Sequence, residues 1–190
     1  MPVIELHLLR GYDDTAKDRL CRALTDAVRQ VVPAPPDAIT VMLTEHGTAD
    51  WMRGGERRKP TPALPDPAIL VLGYLAAMEA RDLEAARRHL APGFEMRFPG
   101  AAPMHCLDEL IAWAAPRYRS VAKAVEGTEI ASAGDATVVW VTGTLHGEWP
   151  DGSAFEGIRF VDRFELRGGL IMRQDVWNDI GEVRRLGDEA

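Results

Sequence analysis

The chain has 190 residues, of which 46% are hydrophobic and 27% are charged, as in an ordinary globular protein. Residues 1–60 hold 9 of the 22 basic and 9 of the 29 acidic residues, so the net charge of −7 arises from the remaining 13 basic and 20 acidic ones. A protein that binds nucleic acid usually carries a basic surface, and this charge distribution excludes nucleic acid as a partner.

Three further features limit the class of protein. The longest apolar stretch, residues 68–78, is too short to span a bilayer, and the N-terminus lacks the pattern of a secretory signal. The two cysteines, Cys21 and Cys106, stand in neither CxxC nor Cys/His spacing, and there is no glycine-rich phosphate loop. We therefore expect a cytoplasmic protein without a membrane partner, a metal or a cofactor.

Four prolines fall within nine residues in KPTPALPDP, residues 59–67. Such a segment is unsuited to a helix interior or a central strand and is typical of a stiff, extended linker. The sequence thus predicts two domains, residues 1–58 and residues 68–190, joined by this linker.

The residue pattern of the first domain predicts a strand, a helix and a second strand. Residues 3–9 form the first predicted strand, and Asp13 or Asp14 can cap a helix whose apolar face runs through residues 16–31. Residues 39–44 form a second strand, which should lie parallel to the first. Because so short a unit buries little surface and leaves two open sheet edges, we expect a homo-oligomer.

The residue pattern of the second domain predicts helices followed by strands. Asp66-Pro67 begins a helix, Asp82 caps a shorter one, and Gly168-Gly169 forms a hairpin turn. This order predicts an α+β fold with helices packed on one face of a curved antiparallel sheet. Further elements are a helix at residues 107–118, a short strand at 94–98, and long strands at 122–131, 136–147, 153–166 and 170–177.

Pro2 is the first candidate for catalysis. If Met1 is removed, Pro2 carries a secondary amine, and an α-amino group has a reference pKa of about 8. Burial or a nearby cation lowers such a pKa further, which suits a general base that later returns the proton as a general acid. On the dipeptide alone, an ordinary chain start is the better interpretation.

The wider pattern of residues 2–56 resembles the 4-oxalocrotonate tautomerase family without a gap. The resemblance implies a β-α-β fold and keto–enol proton transfer by Pro2 on a small carbonyl or enol compound, with Trp51 lining the site. The family's two arginine positions hold Tyr12 and Thr40 here, so Tyr12, or a cation from Arg10 or Arg53, would have to replace them. The residues that carry the resemblance are PVIELHLLRG at 2–11, Lys17, Pro35, Thr44-Glu45, Trp51 and Gly54-Gly55-Glu56.

Residues 68–179 resemble the SnoaL-like members of the nuclear transport factor 2-like (NTF2-like) superfamily, through YLAAMEARDLEAARRHLAPGFEMRFPG at 74–100 and FVDRFELRGGLIMRQDVWND at 160–179. The resemblance implies an α+β cone around an apolar pocket, in which a buried carboxylate or histidine would be the reactive group. Asp162 and Asp175 as a pocket pair are the first candidates. The other candidates, from strand alternation and helix position, are Tyr74, Tyr118, Trp140 and His146.

These observations leave three functions open. The first is an isomerase that uses Pro2 for tautomerisation, with a second domain that binds or further converts the same class of molecule. The second is cyclase, dehydratase or hydrolase chemistry in the SnoaL-like pocket, with the first domain serving oligomerisation. The third is a non-catalytic, ligand-binding oligomer, which the missing arginines also favour.

Overall fold

The computed structural model describes residues 1–188, with the side chains of residues 185–188 outside the description. The chain divides into two compact units, Met1–Ala63 and a second one that begins at Leu64. The division lies in a stretch, residues 58–66, that contains neither helix nor strand. The domain bounds given above, 1–58 and 68–190, stay predictions.

The first unit confirms the predicted order of strand, helix and strand. The strands pair in parallel with a continuous register, from Val3 opposite Thr40 to Leu9 opposite His46. The intervening helix begins after Asp13, whose Oδ1 accepts a hydrogen bond from the backbone N–H of Ala16 at 2.8 Å. The elements are β1 (Val3–Leu9), α1 (Asp14–Arg29), β2 (Thr40–His46) and a short hairpin of β3 (Met52–Arg53) and β4 (Glu56–Arg57).

The first unit has a sparse core within one protomer. Its buried apolar residues are Leu8, Leu9 and Ile39, and helix α1 contributes none. On the sheet face that carries Val3 and Met42, these two side chains are 57% and 43% exposed. A unit of this size with so little buried surface is marginally stable by itself.

The second unit confirms an α+β fold, with helices against a five-stranded sheet of order β5-β9-β8-β7-β6. Asp66 accepts hydrogen bonds from the backbone N–H groups of Ala68 and Ile69, which begins the first helix at Pro67. The elements are α2 (Pro67–Glu79), α3 (Leu83–Arg87), β5 (Leu90–Arg97), α4 (Leu107–Ala114), β6 (Ser120–Ala133), β7 (Ala136–Glu148), β8 (Ala154–Arg167), β9 (Leu170–Asn178) and α5 (Ile180–Asp188).

Three details differ from the sequence prediction. The third helix ends at Ala114, because Pro116 has no backbone N–H with which to continue the helical hydrogen bonds. The first strand of the sheet begins at Leu90 and pairs in parallel with β9, whereas the other neighbours are antiparallel. The long chain segment between β5 and β9 is what allows that parallel pairing. Helix α5 was not predicted.

The sheet of the second unit buries one of its two faces against helices α2 and α4. On β8, Phe160, Asp162 and Phe164 belong to this core face and are fully buried or nearly so. The alternating residues Arg163 and Glu165 belong to the outer face and are half-buried. Strand alternation therefore decides which side chains meet the helices and which do not. Within residues 1–188, none of the helices has the length and apolar character that a lipid bilayer requires.

Candidate functional site

Pro2 lies at the beginning of the first unit's sheet. Its carbonyl oxygen accepts a hydrogen bond from the backbone N–H of Thr40 at 3.1 Å, which attaches the residue to the neighbouring strand β2. Pro2 is half-buried, whereas Met1 before it is 91% exposed. The structure thus holds the Pro2 backbone in a defined place while leaving the preceding residue accessible to solvent.

The other candidates of the first unit lie at the opposite end of the strand. The backbone N–H of Arg10 donates to the carbonyl oxygen of His46 at 2.9 Å, and the Trp51 ring lies 5.4 Å from the His46 ring. Arg10 is eight residues from Pro2 along an extended chain, a separation of about 26 Å. Within one protomer, Arg10, Trp51 and Pro2 are therefore not brought together, and Tyr12 follows Arg10 beyond the strand.

The second unit contains an apolar cavity of about 130 Å³ between helices α2 and α4 and the core face of the sheet. Tyr74 and Tyr118, two of the predicted pocket residues, both line it. Phe98 and Trp113 complete an aromatic wall, with their ring centroids 5.2 Å apart. A cavity of this size and lining suits a small aromatic or conjugated molecule.

Tyr74, Lys123 and Gln174 on one wall of the cavity belong to a hydrogen-bonded chain that also includes the buried Asp162. Tyr74 donates from its hydroxyl to Gln174 Oε1 at 3.2 Å, and Gln174 Nε2 donates to Asp162 Oδ2 at 3.1 Å. Lys123 Nζ donates to the same carboxylate oxygen and lies 4.1 Å from the centroid of the Phe160 ring. Asp162 is completely buried, so its negative charge depends on Lys123 as counter-charge.

Asp162 and Asp175 do not form the predicted pocket pair. In the register of β8 and β9, Asp162 stands opposite Val176 and Arg163 stands opposite Asp175, so the two carboxylates lie on opposite faces of the sheet. Asp175 forms ion pairs on the outer face with Arg163 at 3.3 Å and Arg173 at 2.8 Å. The expectation failed because alternation along one strand does not show how neighbouring strands are aligned.

Two further candidates also lie outside the cavity. Trp140 stands opposite Arg163 in the register and therefore belongs to the outer face, where its ring stacks on Trp177 with centroids 6.1 Å apart. His146 is exposed near the end of β7. Neither residue lines the cavity around Tyr74 and Tyr118.

Lys123 and Gln174 are the site residues that the sequence analysis missed. Lys123 lies on β6, and its registry partner on β7 is Leu145, which belongs to the buried face. A lysine in a strand usually points to solvent, so its apolar neighbours at Val121 and Val125 were the only available signal. Gln174 could have been found from its alternation with Val176 on β9.

Burial determines the protonation of the cavity tyrosines. Burial raises the pKa of Tyr74 far above the ordinary value for tyrosine, and the negative charge of Asp162 raises it further. Burial also raises the pKa of Tyr118, against a smaller opposing effect of Arg117 and Arg184. Both hydroxyls are therefore neutral hydrogen-bond donors at neutral pH. Among the described residues, no three His, Cys, Asp or Glu side chains gather so as to hold a metal ion.

The fold and these two sites define a protein that joins a β-α-β unit with an N-terminal proline to an α+β unit with an apolar cavity. Residues 2–59 match the family described as tautomerase enzyme, and residues 71–174 match the family described as SnoaL-like domain. The chain belongs to both families, each through one of its units. The first match supports an enzyme of the isomerase class.

Individual proteins agree with the family matches. A 2-hydroxymuconate tautomerase from Pseudomonas putida is 32% identical over 56 residues, which are 30% of this chain and 89% of that protein. An NTF2-like protein of unknown function from Burkholderia pseudomallei has a TM-score of 0.53 at 22% identity, covering 65% of this chain and 98% of its own. A protein described as a SnoaL-like polyketide cyclase from a Jannaschia species has a TM-score of 0.50 at 20% identity, covering 67% and 94%.

Proposed function

We propose that the first unit is a tautomerase in which the amine of Pro2 removes a proton from a small carbonyl or enol compound and returns it at another atom. The observation that carries the proposal is the tautomerase match, which begins at Pro2 itself. The hydrogen bond from Thr40 supports it, because a general base has to be held in a fixed place. The second unit would bind or further convert the same class of molecule.

The substrate we propose carries one carboxylate or none. Tyr12 and Thr40 occupy the positions at which the family resemblance places arginines, so a second carboxylate lacks its usual partners. Phenylenolpyruvate, with one carboxylate, should therefore be converted faster than 2-hydroxymuconate, with two. Equal turnover of the two compounds would contradict this part of the proposal.

The role of Pro2 is tested in two steps. Mass spectrometry of the purified protein should show that Met1 is absent, since a retained Met1 would convert the Pro2 amine into an amide. Pro2→Ala should then lower kcat/KM for ketonisation of phenylenolpyruvate by about a hundredfold or more. In the wild type, kcat/KM should rise with pH as the amine loses its proton. Asp162→Asn is the control, because Asp162 belongs to the second unit; a loss in this variant alone would place the chemistry there.

A homo-oligomer is part of the proposal. Pro2 and Trp51 lie near opposite ends of β1, so a site that contains both needs a second copy of the chain. The exposed side chains of Val3 and Met42 and the sparse core of the first unit support the same conclusion. Met42→Lys should lower the mass measured by light scattering and the tautomerase activity together. Ile69→Lys is the control, since Ile69 is 72% exposed on helix α2.

A second candidate function is catalysis within the cavity of the second unit, of the cyclase, dehydratase or hydrolase type. The observation that favours it is the buried Asp162 carboxylate among Lys123, Gln174 and Tyr74. Turnover that survives Pro2→Ala and is lost in Asp162→Asn would support it. Turnover that neither variant changes would support a ligand-binding protein instead. We also propose a cytoplasmic location, which cell fractionation tests.

A further inference from the structure

Arg81, just after helix α2, has a backbone conformation that usually belongs to glycine. Its φ is 59°, and among the described residues it is the one non-glycine residue with a positive φ. The backbone N–H of Arg81 donates to the carbonyl oxygen of Met78 at 3.2 Å. The backbone N–H of Asp82 donates to the carbonyl oxygen of Ala77 at 2.9 Å. In a helix end with these two hydrogen bonds, glycine normally takes the left-handed position, because a Cβ atom is strained there.

The strained residue lines an open groove of about 510 Å³ in the second unit, between the beginning of α3 and the end of α4. Tyr118 and Arg119, which follow α4, line the same groove. The other lining residues give it apolar walls; they are Leu83, Ile111, Ala114 and Ala115. The groove adjoins the cavity described above, since Arg81, Ala114 and Tyr118 line both. Strained backbone at the edge of a groove is typical of a functional site.

The groove carries positive charge that the protein leaves largely unpaired, although the net charge of the chain is −7. Among the side chains that the structure describes, that of Arg81 forms neither a hydrogen bond nor an ion pair. The guanidinium of Arg119 lies 3.7 Å from the carboxylate of Glu148, and both of these side chains are about half exposed or more, so the ion pair is weak. Tyr118 is neutral, because burial raises its pKa. Both arginines are therefore available to an anion.

The chemistry of the groove favours a molecule with a carboxylate at one end and hydrocarbon at the other. A guanidinium group can donate two parallel hydrogen bonds to the two oxygens of a carboxylate, which a neutral hydroxyl group cannot match. The apolar walls would cover hydrocarbon that is otherwise exposed to water. A glycine at residue 81 would satisfy the helix end but would supply no positive charge.

We infer that the groove binds a monocarboxylate with an apolar body, and that Arg81 is the partner of its carboxylate. The apolar body lies against Leu83 and Ile111, and Arg119 adds a second positive charge. This site goes beyond the proposed function, since it contains neither Pro2 nor Asp162 and needs no ligand in the adjoining cavity. Failure of the tautomerase proposal and failure of this inference are therefore separate results.

The experiment measures the dissociation constants of octanoate and octan-1-ol for the full chain by isothermal titration calorimetry. Each probe has eight carbon atoms, so the dissociation constant of octan-1-ol divided by that of octanoate reports the contribution of the carboxylate. The ratio should fall as the salt concentration is raised from 20 mM to 300 mM, because salt screens an exposed charge. The same titration in Pro2→Ala should give the ratio of the wild type.

Arg81→Gly is the main variant, because glycine is the residue that this backbone position favours. The ratio should fall about tenfold, since the charged partner of the carboxylate is lost. At the same time Tm should rise by about 2–4 °C, because the strain at residue 81 is relieved. The matched control is Arg88→Gln, which removes a positive charge just after α3, outside the groove, and should leave the ratio unchanged.

Two further positions separate the groove from the cavity. Ala115 lines the groove and not the cavity, and it is exposed. Ala115→Glu places a carboxylate beside the arginines and should weaken octanoate binding about tenfold, whereas the uncharged Ala115→Gln should weaken it less. Phe98 lines the cavity and not the groove, so Phe98→Leu should leave octanoate binding unchanged.

Four results would overturn the inference. The first is that the wild type does not bind octanoate. The second is a fall of less than threefold in the ratio for Arg81→Gly. The third is a lower Tm in Arg81→Gly than in the wild type, which would show that the arginine serves the fold. The fourth is octanoate binding that Phe98→Leu abolishes and Ala115→Glu leaves intact, which would place the ligand in the cavity.

Discussion

The hydrogen bond between Tyr74 and Gln174 is the best place to test the polar chain in the second unit. Tyr74→Phe removes only the hydroxyl that donates to Gln174 Oε1 at 3.2 Å, and both residues are buried. A hydrogen bond contributes about 0.5–1.5 kcal/mol net, and a buried acceptor left without a donor costs about 1–3 kcal/mol. We therefore expect Tyr74→Phe to lower the free energy of unfolding by about 1–3 kcal/mol.

A double-mutant cycle isolates this interaction. Gln174→Leu removes the acceptor of Tyr74 and also the donor to Asp162, so it should destabilise the unit by itself. Either substitution alone already removes the Tyr74–Gln174 interaction. When the other substitution is then added, it should lower the free energy of unfolding by less than it does in the wild type. We expect a coupling energy of about 0.5–1.5 kcal/mol.

The assay follows urea unfolding by tryptophan fluorescence. Four of the five tryptophans, Trp113, Trp140, Trp149 and Trp177, belong to the second unit, so a Trp51→Phe background makes the signal specific to it. Tyr118→Phe is the control, because that hydroxyl is not part of the Asp162 chain. A coupling energy below about 0.3 kcal/mol, within the error of additivity, would refute the hydrogen bond.

Three further predictions concern the second unit. Asp66→Ala should lower the free energy of unfolding by about 0.5–2 kcal/mol in urea, because the cap of α2 is lost, whereas Asp66→Ser should retain most of it. Burial lowers the pKa of His89 in the folded protein, so the unfolded state binds a proton more readily. The free energy of unfolding should therefore fall as the pH decreases through the ordinary histidine range. His89→Gln should show a smaller decrease in Tm between pH 7.5 and pH 5 than the wild type. Gly143→Ala should lower the free energy of unfolding by about 1–3 kcal/mol, because the added Cβ would lie 2.1 Å from the carbonyl oxygen of Ala124 on the neighbouring strand. Gly181→Ala is the control, and equal stability of the two variants would contradict this close approach of the strands.

Local signals were sufficient for most of the fold. Asp66, Asp82 and one of Asp13 and Asp14 were recognised as helix caps, because a short acidic side chain before an apolar helical pattern accepts the free backbone N–H groups. The structure has Asp13 as the cap of α1. Gly168 and Gly169 were recognised as a hairpin turn, and both have the positive φ values that such a turn requires. These features depend on a few adjacent residues, and the sequence contains all the necessary information.

The candidate site was predicted less completely. Tyr74 and Tyr118 line the cavity as expected, and Asp162 is a buried acid among apolar neighbours. Asp175 was assigned to the wrong face relative to Asp162, and Lys123 was overlooked. Both errors concern how one strand is aligned with the next, which alternation within a single strand does not report.

By itself, the sequence determined the order of the helices and strands apart from the β3–β4 hairpin and α5, several caps and turns, the resemblance to two families and the candidate proline at residue 2. Only the tertiary structure decided that Lys123 and Asp162, on strands separated by β7, form one ion pair, while Asp162 and Asp175, on adjacent strands, lie on opposite faces. The physical reason is the separation along the sequence over which each kind of interaction acts. Backbone geometry and capping act between residues a few positions apart, whereas strand register depends on packing between segments distant in sequence.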